Sequence, residues 1–114
     1  MNNQNIERII EATRQRKPIE FEYIKEGKVH GKRMGNPHII FSGVTKDGIP
    51  RIWSHVVQTG GVSDTLQNFP DWRMFIVESL QNVRILEDEP NFEIFDGYNP
   101  ESHIYIGTDI LAKI

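Results

Sequence analysis

The feature that most constrains the fold is a series of short stretches in which apolar and polar residues alternate. In PIEFEY, Ile19, Phe21 and Tyr23 fall on one side of an extended chain, and Glu20 and Glu22 fall on the other. Successive side chains of a strand point to opposite faces, so this pattern predicts a half-buried strand. The later stretches that read as strands are KVHGKRMG, HIIF, RIWSHVVQ and the two halves of DWRMFIVESLQNVRIL.

Turn residues separate these stretches and predict antiparallel neighbours. Gly27 marks the first turn, and the Asp47-Gly48 pair between apolar runs is the strongest short signal for a hairpin. Pro37 is expected to break the hydrogen-bond ladder or to lie at a sheet edge, because proline has no N–H group to donate. Residues 59–71 predict a long loop. The segment ESLQN fits a single helical turn between the last two strands.

The apolar residues of the first segment recur at helical spacing and predict a helix that ends near Arg16, before Pro18. About three helical turns are too short to be stable alone in water, so the helix must pack against a sheet. We therefore predict a mainly β (α+β) fold: a helix over 1–17, five antiparallel strands over 18–87 that close into a small barrel, and a C-terminal extension over 88–114. The apolar face of the helix consists of Ile6, Ile9, Ile10 and Thr13.

Residues 87–103 differ in character, because they hold six acidic and three aromatic residues. Phe92, Phe95 and Tyr98 are expected to anchor this segment, which predicts an ordered arm packed on the barrel rather than a free tail. The final apolar stretch, IYIGTDILAKI, is compatible with a strand or with a short helix.

Composition excludes several classes of function. The 114 residues include no cysteine, so disulfides and thiolate metal sites are excluded. No apolar run approaches the ~20 residues of a membrane span, and the first ten residues do not resemble a secretory signal. A cytoplasmic protein without a membrane partner is therefore expected. The net charge of −3 gives no overall field that would attract nucleic acid or an anionic membrane.

The chain contains no recognisable catalytic or cofactor-binding motif, so we predict neither an enzyme nor a bound cofactor. The four histidines lack the short spacing of metal ligands. A site built from three distant histidines and a set of surface or hydrogen-bonded histidines are both compatible with the sequence. The acidic run at 87–89 fits either a cation site or a solvated loop.

Three arginines, Arg33, Arg51 and Arg73, lie in predicted strands close to large apolar residues. Arg51, Trp53 and His55 share one face of their strand. A guanidinium group beside a tryptophan suits the capture of an anion together with base stacking, as in grooves that bind single-stranded nucleic acid. The same arrangement also fits arginines that stack on tryptophan at a barrel rim for packing alone.

Four motifs, in their order along the chain, resemble those of the bacterial WYL domain family. They are the helix-strand segment IERIIEATRQRKPIEFEY, the strand GKRMGNPHII with an arginine before a proline, RIWSHVVQTGG in the place of the Trp-Tyr-Leu triplet, and WRMFIVESLQNVRIL at the closing signature. The resemblance covers roughly residues 6–86, and FDGYNPESH is similar to the extension of small members. The triplet position reads IWS here, and ESL stands in place of the family's Asp-Arg-Ile.

This resemblance implies a Src-homology-3-like (Sm-like) small β-barrel. It also implies a ligand-sensing or nucleic-acid-binding module of the kind linked to transcription regulation or phage defence. The matching positions imply a ligand site at Arg33, Trp53 and Arg73, with His38 after the proline as a further candidate. Together with Arg51 and His55 on the triplet strand, these residues are the predicted ligand-binding set.

The strand that follows the long loop can place either of two apolar faces in the core. We expect Trp72, Met74 and Ile76 to fill the barrel or the helix interface. Arg73 is then expected to face the concave ligand site, with the long loop at its border.

Two functions are compatible with the sequence. The first is a non-catalytic sensor of a nucleotide, a single-stranded nucleic acid or another anion. The second is a protein-interaction or dimerisation module, which forms a homodimer or binds a regulatory protein. The surface distinguishes the two, because a clustered basic and aromatic pocket favours the sensor and an apolar patch favours a partner interface.

Overall fold

The computed structural model describes residues 3–63 and 69–114. These ranges contain one α-helix, six strands and two 3-10 turns. The helix α1 spans Asn3–Gln15, and the strands are β1 Ile19–Tyr23, β2 Lys32–Val44, β3 Pro50–Gly61, β4 Asp71–Ile76, β5 Leu80–Ile85 and β6 Asp109–Lys113. The 3-10 turns are Val77–Ser79, between β4 and β5, and His103–Tyr105, before β6.

The six strands form one antiparallel sheet in the order β4-β3-β2-β1-β5, and β6 pairs with β2. β3 follows one edge of β2, while β1 and β6 pair with the first and second halves of its other edge. The predicted mainly β fold with one short N-terminal helix is confirmed. Within the described residues no hydrogen-bond ladder joins β4 to β5, so the sheet is not closed and the predicted barrel is not confirmed.

Several strand boundaries differ from those predicted. β2 is one long strand that runs through Pro37, and its pairing with β3 shifts between Pro37 and Ile39, so the proline does interrupt the ladder. β3 includes residues 59–61, which were predicted to belong to the long loop; residues 64–68 of that loop lie outside the described residues. The last stretch is a strand rather than a helix.

The face of the sheet that packs against α1, here called the inner face, carries the main core. Ile9 and Ala12 of the helix contact a cluster of buried strand residues. The Thr13 hydroxyl donates to the Ile9 carbonyl at 2.7 Å, and the helix ends where Arg16 adopts a left-handed φ of +55°. The strand residues of this cluster are Ile19, Phe21, Tyr23, Ile40, Val56, Phe75, Leu80, Val83 and Ala112, together with Val77 of the first 3-10 turn.

The predicted orientation of β4 is wrong. Phe75 lies in the inner core, where its ring meets Phe21 edge to face at a centroid distance of 5.0 Å. Register decides this orientation, because Phe75 lies opposite the buried Ser54, whereas Met74 lies opposite His55 on the other face. Trp72, Met74 and Ile76 therefore point away from the core, and Arg73 shares the inner side with Phe75.

This orientation predicts different costs for substitutions at two adjacent positions of β4. Phe75 is 2% exposed and Met74 is 43% exposed. Phe75→Ala is expected to lower the free energy of unfolding by about 3–5 kcal/mol, because it leaves a cavity in the core. Met74→Ala should change it by no more than about 0.5 kcal/mol. Urea unfolding of the two variants checks this, and the reverse order of costs would contradict the orientation.

Candidate functional site

The second face of the sheet, here called the outer face, carries most of the candidate site residues. Cross-strand pairs place Phe41 opposite Trp53, and Ile39 opposite His55. Trp72 projects from the same face, since it lies opposite Val57 of β3, and Val57 is two residues after His55. The alternation of apolar residues in β2 and β3 thus serves two layers, one against α1 and one on the outer face.

Residues 87–108, here called the C-terminal arm, cover part of the outer face. The arm starts beside the helix end, where the Phe92 N–H donates to the Arg16 carbonyl at 2.8 Å. Tyr105 then packs on Phe41 at a centroid distance of 5.1 Å, and Phe95 meets Trp72 at 5.6 Å. The prediction that aromatic residues anchor an ordered arm is confirmed for Phe92, Phe95 and Tyr98.

His38 holds the arm to the sheet. Its side chain is fully buried, and its Nδ1 lies 2.8 Å from the Asn36 carbonyl. Its Nε2 accepts a hydrogen bond from the Phe95 N–H at 3.0 Å, which assigns the ring proton to Nδ1 and makes the ring neutral. The ring also stacks on Phe92 and meets Trp72 and Tyr98 edge to face.

Burial favours the uncharged forms of two histidines and two tyrosines on this face. Desolvation lowers the pKa of both His38 and His55 below the usual histidine value. His55 Nδ1 lies 2.9 Å from the Tyr105 hydroxyl, and burial raises the pKa of that phenol. Burial also raises the pKa of Tyr98 to about 12. At neutral pH these histidines and tyrosines therefore present polar but uncharged groups.

An apolar depression, here called the Trp53 groove, opens beside the arm with a volume of about 360 Å³. Phe41 and Trp53 form its floor, with ring centroids 5.7 Å apart. Gly43 leaves room for this floor, because a Cβ there would lie 3.3 Å from the Trp53 ring. The remaining lining residues are Val44, Met74, Ile104, Ile106, Gly107 and Thr108.

A smaller depression, here called the Trp72 pocket, lies next to the groove and shares Ile104 with it. Its volume is about 220 Å³. Four of its eight lining residues carry aromatic rings, and six of the eight belong to the arm. The other lining residues are His55, Trp72, Gly97, Tyr98, Asn99, Ser102 and Tyr105.

The predicted site residues do not all come together. His38, Trp53 and His55 belong to the outer face, and Arg51 shares their side of β3 because it lies two residues before Trp53. Arg33 lies on the inner face instead. Its guanidinium carbon lies 5.7 Å from the Tyr23 ring centroid and 5.6 Å from that of Phe75.

The environment of Arg33 and Arg73 favours a structural role for both. Arg33 is 1% exposed, and its Nη2 donates to the Val29 carbonyl at 3.1 Å. Arg73 forms an ion pair with Asp71 at 3.4 Å and donates to the Ser63 hydroxyl at 3.2 Å. The expectation that Arg73 and Arg33 join Trp53 at one site is wrong, because a one-residue offset along a strand reverses the face.

The C-terminal arm is strongly acidic. Residues 87–108 include six acidic residues and no lysine or arginine, in a chain whose net charge is only −3. The arm is therefore the most acidic part of the molecule, and it borders both the Trp53 groove and the Trp72 pocket. The acidic residues are Glu87, Asp88, Glu89, Glu93, Asp96 and Glu101.

Residues 3–63 and 69–114 lack two further kinds of feature. No group of three or more His, Asp or Glu residues there could hold a metal ion. The helices found there are all too short or too polar to cross a membrane. No protein-family model matches the chain, and no curated protein matches it. The resemblance to WYL domains therefore stays a prediction.

Sequence reasoning did not identify Trp72, Tyr98 or Tyr105 as site residues. Both faces of β4 offer large apolar residues, and the sequence-based prediction places the face with Trp72 in the core. The sequence predicts only an anchoring role for Tyr98, and Tyr105 lies in the final stretch, which is compatible with a strand or a helix. A signal was present nonetheless, because an acidic segment rich in aromatic residues must cover some surface with its rings.

Because burial lowers the pKa of His38 and His55, we expect the stability of the fold to depend on pH. A histidine whose pKa is lower in the folded state binds fewer protons there than in the unfolded chain. The free energy of unfolding should therefore be largest above pH ~6.5 and fall as the pH decreases below that value. His38→Gln should reduce this loss without abolishing it, since His55 still contributes. Urea unfolding across this pH range measures the effect.

His103 provides the matched control, because its side chain is exposed on the second 3-10 turn. His103→Gln should leave the dependence of stability on pH as it is in the wild type. An unchanged dependence in His38→Gln would show that another group causes it. A chemical-shift titration of the His38 ring then provides an independent check of its protonation.

Proposed function

We propose that this chain is a non-catalytic binding module whose outer face holds a segment of a partner protein. The segment carries apolar side chains that enter the Trp53 groove and lysine or arginine side chains beside them. The observation that carries this proposal is the exposed apolar rim of the groove. Val44 is 70% exposed and Ile106 is 79% exposed, and both line the same depression.

Contiguous exposed apolar residues favour an interface, whereas single ones are ordinary on a protein surface. Met74 and Ile104 extend the rim of the groove on two sides, and both are also exposed. The tryptophan at its floor is of the residue type that contributes most to binding in protein interfaces. A chain segment placed here would bury these side chains together.

Charge selects the kind of segment. The acidic arm borders the groove, so a partner with lysine or arginine next to its apolar residues gains from complementary potential. A second copy of this chain would bring two acidic arms towards each other, which opposes association. The proposal therefore commits to a basic and apolar segment of another protein.

The exposed position of Ile106 allows a direct test. Peptides selected from a displayed random library against the wild-type protein should combine apolar residues with lysine or arginine. Ile106→Asp should weaken their binding about tenfold or more, which corresponds to about 1.4 kcal/mol. Isothermal titration calorimetry measures these affinities for the wild type and the variant.

Ile94→Asp is the matched control, since Ile94 is an exposed arm residue that does not line the groove. It should leave the affinities nearly unchanged. Selected peptides that bind both variants equally, or that are acidic, would overturn the proposal. Analytical ultracentrifugation tests whether a second copy of this chain occupies the groove instead. A dimer that Ile106→Asp dissociates would show that it does.

A WYL-type sensor of a nucleotide, a single-stranded nucleic acid or another anion is the second candidate, with transcription regulation as its context. It is supported by Arg51, which lies on the same side of β3 as Trp53. This second candidate function implies that the sheet is a Src-homology-3-like (Sm-like) barrel. It is supported by the strand order, with β1 between β2 and β5, and by the 3-10 turn between β4 and β5.

Fluorescence anisotropy with short labelled RNA and DNA distinguishes the candidates. Under our proposal we expect no saturable binding at low salt, where attraction between arginine and phosphate is strongest. Tight binding that weakens with salt and is lost in Arg51→Ala would favour the sensor. Lys46→Ala, on the exposed hairpin before β3, controls for a general loss of positive charge.

A further inference from the structure

We propose that the Trp72 pocket is a binding site for a quaternary ammonium group. This inference depends on the pocket alone and does not require the protein partner proposed above. Its volume of about 220 Å³ is below the ~300–1,000 Å³ typical of sites for drug-sized ligands, so it suits a small group rather than a whole nucleotide.

The walls of the pocket are aromatic rings that support one another. The ring centroids of Trp72 and Tyr98 are 6.1 Å apart, with 35° between their planes. Trp72 lies 4.7 Å from the His55 ring, and His55 lies 6.4 Å from the Tyr105 ring. Because each ring also packs on a neighbour, the pocket exists before a ligand enters it. Aromatic faces carry partial negative charge and attract cations.

The charges around the pocket favour a cation over an anion. Among the described residues that line it, none is lysine or arginine. His55 is uncharged at neutral pH and is engaged with the Tyr105 hydroxyl. Asp96 and Glu101 directly adjoin the lining residues Gly97 and Ser102 along the chain. The segment that lines the pocket is therefore acidic, although no carboxylate belongs to the lining itself.

The lining also selects the type of cation. A primary ammonium group has three N–H donors that need acceptors when it is desolvated. The amide oxygen of Asn99, a strong side-chain acceptor in the lining, already accepts a hydrogen bond from the Glu101 N–H. A quaternary ammonium group has no donors to satisfy and presents methyl groups to the rings. It therefore fits this surface better than a primary amine does.

Choline is the first probe, tested against its neutral isostere 3,3-dimethylbutan-1-ol and against ethanolamine. The indole N–H resonances of Trp72 and Trp53, distinguished with a Trp53→Phe variant, report binding by NMR. We expect choline to shift the Trp72 resonance saturably and to bind about fivefold or more tightly than either comparison compound. Equal binding of choline and the neutral isostere, or no saturable shift with choline, would falsify the proposal.

Two pairs of variants place the site. Trp72→Leu should abolish choline binding, while Trp53→Leu in the neighbouring groove should not. Asn99→Lys tests the same point without altering a packed ring, because it adds a positive charge at the exposed lining of the pocket. It should abolish binding, whereas Asn91→Lys, an exposed arm residue outside the lining, should not.

A quaternary ammonium group can belong to a free small molecule or to a methylated lysine of a protein, and the same NMR assay distinguishes these two sources. A short peptide with trimethyllysine, compared with its unmethylated form, tests a quaternary ammonium carried on a protein. Tighter binding of the methylated peptide than of choline identifies a modified protein as the source, and the reverse order identifies a free small molecule. Either order supports a quaternary ammonium site.

Discussion

The neutral ring of His38 is the contact on which the outer half of this molecule depends. One ring nitrogen lies against the Asn36 carbonyl within β2, and the other accepts the Phe95 N–H from the arm. A charged ring could not accept this second bond, so the attachment of the arm requires an unprotonated histidine. The shift in strand pairing beside Pro37 allows this side chain to occupy the outer face.

The arm changes what the outer face can do. Without it, β2, β3 and β4 would expose a surface of large aromatic and aliphatic residues to water. With it, Tyr105 and Phe92 cover part of that surface, while Ile104 and Ile106 add walls to the part left open. The arm also carries six acidic residues and no lysine or arginine. The arm thus both covers part of the sheet and lines the Trp53 groove and the Trp72 pocket.

The sequence predicted the helix, the Asp-Gly hairpin, the turn between β4 and β5 and the aromatic anchors of the arm, because each depends on local residue preferences. It did not predict which face of β4 is buried. One face of β4 carries Phe75 beside Arg73, and the other carries Trp72 and Met74. Each face offers large apolar residues, so alternation alone does not say which one is buried. The choice depends on pairing with β3, where Phe75 lies opposite Ser54. Long-range register of this kind is not encoded in any single stretch.

The same limit explains why Arg33 and Arg73 do not join the other predicted site residues on the outer face. Arg33 and Trp53 lie on opposite faces, so their proximity in the predicted sheet could not bring their side chains together. Arg33 instead sits over Tyr23 and Phe75, where its charge is partly balanced by aromatic faces and by carbonyl acceptors. Of the three predicted arginines, only Arg51 shares the outer face with Trp53, and the arm that covers part of this face carries six acidic residues. Charge placement, more than strand order, therefore decides which class of ligand this sheet can hold.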